Sequence, residues 1–336
     1  TRPPSRTKSR CTAALGGAGA AAAAGARKRG SAASIFAARE PLSMNQKSRQ
    51  NEGKDATPSS PSGPTDRGLA KQEDDHAQTN SYTTDAGNLL DSLKKDGFVV
   101  LKGLVPRSCA TSCREWLSVE LKKVIESGES ERFAKINDRK FRHDLRLQMT
   151  DENKSVLLTA FGRKREQHEQ QQSLQYRDVY DKILGGDASL VEFGVITSHP
   201  GAEAQSIHSD VTFDSEARCV YTTFLALQDI DEEMGPTNIW NGTHEALFCE
   251  FYKPKMLGSY DPYYSKNKPT LMTLAAGDAV LMDTRVMHCG GANKSEQDRM
   301  LLHFSFETTK GENDPDGFTY NLMTELKGKY TLKDFL

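Results

Sequence analysis

Residues 277–305 read GDAVLMDTRVMHCGGANKSEQDRMLLHFS, and the fold is decided in this stretch. Two runs, Ala279–His288 and Met300–Glu307, have the length and apolar texture of strands, and the Gly290-Gly291 pair between them is a turn signal. Successive side chains of a strand point to opposite faces. Val280, Met282, Thr284, Val286 and His288 therefore share one face, and Arg299, Leu301, His303 and Ser305 share a face of the next strand, which Arg299 begins. Working upstream, further strands are expected at Val191–Thr197, Arg218–Ile230, Thr237–Trp240 and Pro269–Leu274. Pro200-Gly201, Gly235-Pro236, Asn241-Gly242 and Gly277-Asp278 punctuate them. Short strands at this spacing predict a mainly β domain, a sandwich or barrel with helices packed outside.

The helices lie ahead of the strands. Leu89, Leu90 and Leu93 have helical spacing up to Asp96-Gly97, and FVVLKGL (98–104) reads as a strand. Pro106 opens a second helix whose stripe of Trp116, Leu117, Leu121, Val124 and Ile125 is expected to face the core. Cys109 and Cys113 share a face of it and read as packing thiols. Residues 128–155 are charged and mixed, and 162–177 read as a solvated helical or loop stretch.

The first 80 residues carry 13 Lys+Arg against 7 Asp+Glu, and the remaining 256 carry 31 against 39. The net charge of −2 and the mean hydropathy of −0.63 thus average two unlike segments. Residues 1–84 lack the apolar side chains needed to offset the entropy of ordering and are expected to form a disordered arm. Residues 85–336 can bury one core. The arm has no acid before Glu40 and its first Met is Met44. It reads either as a plastid or mitochondrial transit peptide over 1–43, or as residues upstream of a true start at Met44, which would make the protein cytoplasmic. The acidic domain argues against a nucleic-acid partner. No apolar run is long enough to span a membrane. A monomer or weak homo-oligomer acting on a small molecule is expected.

The chemistry is carried by histidines inside the β region. In His208-Ser209-Asp210 the imidazole and carboxylate, two residues apart on an extended segment, point the same way. His288 closes a strand 80 residues later. Two imidazoles and one carboxylate with positions left open make the facial triad of non-haem Fe(II) oxygenases. A His-x-Asp pair alone is a weak signal, and its company makes it stronger. An interior Arg299 is costly unless paired with an anion, and no acidic residue stands among Leu301, His303 and Ser305 of its face or on the face named for the preceding strand. A ligand carboxylate would satisfy its fork in bidentate fashion. A 2-oxo dicarboxylate fits both needs, chelating the metal at one end and meeting Arg299 at the other.

The order of five segments extends this reading. DGFVVLKGLVP (96–106), PGAEAQSIHSD (200–210), YTTFLALQDID (221–231), GPTNIWNGTHE (235–245) and GDAVLMDTRVMHCGGANKS (277–295), followed by Arg299, resemble the phytanoyl-CoA dioxygenase family of Fe(II)/2-oxoglutarate oxygenases over roughly 90–307. The resemblance implies a double-stranded β-helix (a cupin-like jelly roll) with helices on one side. It implies iron at His208, Asp210 and His288, and 2-oxoglutarate at Arg299, with Thr222 on a strand that lines the cosubstrate pocket. The implied reaction hydroxylates an unactivated C–H bond with Fe(II), 2-oxoglutarate and O2, releasing succinate and CO2. The chain departs from the family pattern at Asn241-Gly242-Thr243-His244, where Pro-Gly-Ser-His is usual, and at Gly290, often a small hydroxyl residue. Because Asp210 is retained, the resemblance argues against a halogenase.

Gln205 and His303 are expected to support or line the site. His199 is a candidate for the pocket entrance, Asn293 for the turn behind His288, and Cys289 for a small wall residue; His244 and Trp240 read as structural. Substrate choice is assigned to 128–190 and to the aromatic-rich 246–268, either a lid or a packed insertion. Two other functions share this pattern: a catalytically inactive jelly-roll binding protein, and a zinc-dependent hydrolase on the same three ligands, which explains Arg299 poorly.

Overall fold

The computed structural model describes residues 86–134, 141–163, 170–214, 216–245, 264 and 266–336. The expected arm at 1–84 and nearly all of 246–268 lie outside the described residues.

Helices α1 (Ala86–Asp96), α2 (Arg107–Ser127), α3 (Asp151–Ala160) and α4 (Gln170–Leu184) are interleaved with β1 (Phe98–Leu101) and β2 (Arg142–Arg146). The rest is β: β3 (Ser189–Ser198), β4 (Val220–Ala226), β5 (Thr237–Ile239), β6 (Thr270–Leu271), β7 (Ala279–Asp283), β8 (His288–Gly290) and β9 (Arg299–Glu307). A six-stranded antiparallel sheet has the order β1-β7-β4-β9-β3-β2, and a three-stranded sheet the order β6-β5-β8. This is the jelly roll expected from the sequence.

Alternation sorts the large sheet into two faces. Leu145, Phe193, Val195, Leu225, Leu281, Leu302, Phe304 and Phe306 point one way and join the buried faces of all four helices in the main core. Val280, Met282 and Leu301 point the other way and pack with Ile239, Met272 and Leu274 from around the small sheet. The helices thus cover one face, and the second face is left for the cavity between the sheets.

Three expectations change. The run Ala279–His288 is two strands in different sheets. Asp283 accepts hydrogen bonds from the backbone N–H and guanidinium of Arg285, while the Val286 N–H donates to the Asp283 carbonyl. This side-chain-stabilised turn carries the chain from β7 to β8. His288 therefore does not continue the face of Val280, and its placement comes from the second sheet. In α2, Leu117, Leu121 and Val124 are buried but Ile125 is 47% exposed, outside the arc that meets the sheet. The stretch 162–177 is not wholly solvated, since α4 buries Tyr176. The remaining strands fall within a few residues of expectation, most of them shorter; FVVLKGL, for instance, is a strand only through Leu101.

Candidate metal centre

The segment before Asp210 runs as an extra edge of the small sheet. Gln205 N–H donates to the Gly290 carbonyl, and His208 and His288 exchange both backbone hydrogen bonds, at 2.9 and 2.8 Å. This pairing brings together two histidines 80 residues apart, with ring centroids 4.5 Å from each other. Each imidazole is oriented through Nδ1, which donates to a carbonyl two residues upstream: Ser206 at 2.7 Å for His208 and Val286 at 3.1 Å for His288. Nε2 of both then faces Asp210 Oδ1, at 3.7 and 3.8 Å. Asp210 is held by its own N–H donating to the Thr284 carbonyl. One ligating atom from each residue lies within 4.8 Å of the others, the only such metal-competent group among the described residues. Backbone bonds that fix imidazole tautomer and direction are what a metal ligand requires.

The triad opens into a cavity of about 580 Å3 between the sheets. At one end lies Arg299, 2% exposed. Its Nη2 donates to Ser198 Oγ at 2.9 Å, and its Nε and Nη1 have no hydrogen-bond partner among the described residues. Burial, with Arg142 adjacent, lowers its guanidinium to about 10. A buried cation in that state lacks its counter-ion. Arg142, which sequence reasoning left in an unpatterned stretch, shares Ser198 Oγ at 3.0 Å and also lines the cavity. The donor set and the orphaned guanidinium fit a divalent iron and a dicarboxylate respectively.

The other expected residues divide. Gln205 lines the cavity and its Oε1 accepts the Gly290 N–H at 2.9 Å. A Cβ at Gly290 would lie 2.6 Å from that oxygen and 3.3 Å from Arg299 Nη2, so the missing hydroxyl side chain makes room for both. Thr222 lines the cavity, but its hydroxyl is taken by Ser305 at 2.7 Å. His303 lines it too, with Nε2 on Asp144 Oδ1 at 2.9 Å. His199 is not brought in: it bonds His143 and Asp298 away from the cavity. Asn293 ties the turn before β9 to the end of β3 through the Gln297 and Ser198 carbonyls, rather than holding His288. His244 anchors α1 through the Lys94 carbonyl, Trp240 caps a small core with Met287, and Cys289 is buried beside it.

Several cavity residues had no sequence signal beyond polarity: Asp144, Glu192 and the C-terminal stretch Gly317–Thr319 with Asn321. The last is strapped over the site by Thr212 N–H on the Asp316 carbonyl and Phe193 N–H on the Asn321 carbonyl. Gly194 is a close approach on this wall. A Cβ there would lie 2.6 Å from His303 Nε2 and 2.9 Å from the Leu145 carbonyl oxygen. Gly194→Ala is expected to cost about 1–3 kcal/mol, by forcing His303 off Asp144 or shifting β2. A fall of several degrees in melting temperature would register this, and an unchanged melting curve would contradict it.

Residues 93–301 match the family described as Phytanoyl-CoA dioxygenase (PhyH). The chain belongs to the phytanoyl-CoA dioxygenase family. A curated relative, the multifunctional dioxygenase ausE of Penicillium brasilianum, is 24% identical over 231 residues, covering 65% of this chain and 70% of the relative. A second, prhA of the same organism, is 31% identical over 114 residues, or 31% of this chain and 36% of the relative. Among solved structures, the non-heme alpha ketoglutarate dependent epimerase SnoN from nogalamycin biosynthesis superposes with a TM-score of 0.52 at 16% identity, covering 73% of this chain and 89% of SnoN. SnoN was also solved in complex with Fe3+ and alpha ketoglutarate. The carbocyclase SnoK gives a TM-score of 0.50 at 18% identity over 70% of this chain and 90% of its own. These likenesses show that this phytanoyl-CoA dioxygenase family member shares their fold.

Proposed function

We propose that this chain is an Fe(II)- and 2-oxoglutarate-dependent dioxygenase that hydroxylates an unactivated C–H bond of a small organic substrate, with O2 consumed and succinate and CO2 released. The observation that carries the reading is the conjunction, in one cavity, of the His208–Asp210–His288 triad and a buried Arg299 with two unpaired donor groups. Family membership supports it. The fold alone would not fix the reaction, since structures that share it include an epimerase and a carbocyclase.

Iron bound by the triad would supply the oxidising chemistry, activating O2 with electrons from 2-oxoglutarate. The chain's own residues bind and orient. Arg299 receives the far carboxylate and sets the register of the cosubstrate along β9. Gln205 and Gly290 hold the floor between Arg299 and His288. Phe224 and Leu301 supply an apolar wall, and the 317–321 strap restricts water. No helix among the described residues is long and apolar enough to cross a membrane. The address carried by residues 1–43, whether plastid, mitochondrial or none, and a monomeric or weakly associating state remain part of the proposal.

The test is oxidative decarboxylation of 2-oxoglutarate. Full-length protein with Fe(II), ascorbate, 2-oxoglutarate and air is expected to form succinate above background. A substrate screen is expected to find a product heavier by one oxygen atom. Zinc-dependent hydrolysis without 2-oxoglutarate consumption would overturn the reading.

A further inference from the structure

The cavity has a second end, chemically opposite to the first. Ser198 pairs with Arg299 and Glu192 pairs with Ser305 across β3 and β9. The two sites are six residues apart along β9, about 20 Å at roughly 3.3 Å per residue. The triad sits between them: Gly290, two residues past His288, touches Arg299, while Asp210 is close enough to act electrostatically on both Glu192 and His303. A cosubstrate reaching from Arg299 to the metal leaves the Glu192 end for the substrate.

At that end the hydrogen bonds run one way. Thr222 donates to Ser305, Ser305 donates to Glu192 Oε2 at 2.5 Å, and Glu192 Oε1 has no hydrogen-bond partner among the described residues. A register irregularity between Leu190 and Glu192 shifts β3 at this point, and a bulge of this kind re-aims a side chain. Next to it His303, 3% exposed, gives Nε2 to Asp144, and its Nδ1 has no partner among the described residues. Asp144 is fully engaged, its other oxygen accepting from Asn321 at 2.8 Å. Burial raises the Glu192 carboxyl to about 7, with His303 and Ser305 opposing the rise. Burial alone would lower His303, but the Asp144 carboxylate, with Glu192 and Asp210 beyond it, holds it above the usual histidine value. One wall thus presents an unfilled acceptor, Glu192 Oε1, beside the unpartnered Nδ1 of His303, which Asp144 backs from the other side of the ring. Both residues line the cavity, so a ligand entering it can reach these atoms.

We propose that Glu192 and His303 line the substrate subsite, where Glu192 takes a hydrogen-bond donor, an alcohol or a protonated amine, placing the carbon beside it at the metal. This rests on the dioxygenase reading and deepens it. A carboxylate, or the hydrocarbon acyl end of a thioester, offers no donor to this wall and is a poor occupant despite the family's name.

The test uses ligand-observed NMR on full-length protein loaded with Zn(II) and 2-oxoglutarate. The probes are myo-inositol, methyl glucoside, glucosamine and ethanolamine, set against butyrate, benzoate and butyryl-CoA. Binding of at least one donor probe is expected, weakened tenfold or more by Glu192→Leu. Glu192→Gln separates the two donor types: it keeps an alcohol and loses an amine. No donor probe bound, donor binding unchanged in Glu192→Leu, or binding confined to the carboxylates and butyryl-CoA would each overturn the subsite. As an independent check, the visible charge-transfer absorption of Fe(II) with 2-oxoglutarate, recorded anaerobically, is expected in wild type and both variants. Its presence with failed donor binding sinks the subsite alone, and its absence from wild type sinks the dioxygenase reading.

Discussion

Arg299→Ala is expected to weaken 2-oxoglutarate binding by a hundredfold or more while leaving metal affinity unchanged. The magnitude follows from burial. Truncating one member of a buried, hydrogen-bonded charge pair costs about 2–5 kcal/mol, and 2.8 kcal/mol is already about a hundredfold. Here the guanidinium is 2% exposed, and its only bond among the described residues is to a neutral hydroxyl. A ligand carboxylate would therefore provide most of its pairing. Metal affinity is spared because, among the described residues, the one hydrogen bond of Arg299 goes to Ser198 and none goes to His208, Asp210 or His288. Arg299→Lys is expected to recover little, since an ammonium lacks the planar fork. A companion measurement separates binding from folding. Arg299→Met, which replaces an unpaired buried cation by an apolar chain of similar length, should leave the melting temperature of ligand-free protein equal or higher. It should also lose the stabilisation that 2-oxoglutarate gives wild type. Equal 2-oxoglutarate affinity in Arg299→Ala would show that the carboxylate binds elsewhere, with Arg142 the nearest candidate.

Asp210→Ala is expected to remove succinate formation altogether and to lower metal affinity by at least a hundredfold. Loss of an outer partner of a ligand already costs about 10–100-fold, and Asp210 supplies the only anionic ligand. Without it, two imidazoles would have to hold a dication alone. The fold should survive, because Asp210 is partly exposed and its structural bond to Thr284 is made by the backbone, which alanine keeps. Anaerobic calorimetry with Fe(II) reads the first effect and thermal melting reads the control. Succinate formation at the wild-type rate would remove Asp210 from the metal centre.

Much of this centre was legible because period-two alternation assigns faces. The spacing of His208 and Asp210 on an extended segment, and of Arg299 with His303 and Ser305 along one strand, needed no partner to be read. His288 was found by its position at a strand end, but the face assigned to it failed. A turn held by the Asp283 carboxylate resets the alternation, and a single side-chain hydrogen bond leaves no periodic trace. Arg142, Asp144 and Glu192 were missed for a related reason. β2 is a short strand in a charged context, and only its pairing with β3 turns Arg142 and Asp144 inward. The register irregularity before Glu192 is visible only against β9. The C-terminal strap at 317–321 carries no motif, and its backbone bonds to Thr212 and Phe193 bring it over the cavity.

The sequence by itself determined most of the strand content, the inward side of the longer strands, the three candidate ligands and a cation with no acid among its near neighbours on the strand. Those are local properties, fixed by residue type and by the two-residue repeat of an extended chain. The tertiary structure alone decided that the two histidines pair backbone to backbone, that Arg299 and Glu192 stand at opposite ends of one cavity, and that residues before 200 and after 310 complete its wall. Such facts depend on which strands become neighbours and in what register. Register is set by long-range pairing over hundreds of residues, and no short window of sequence contains it.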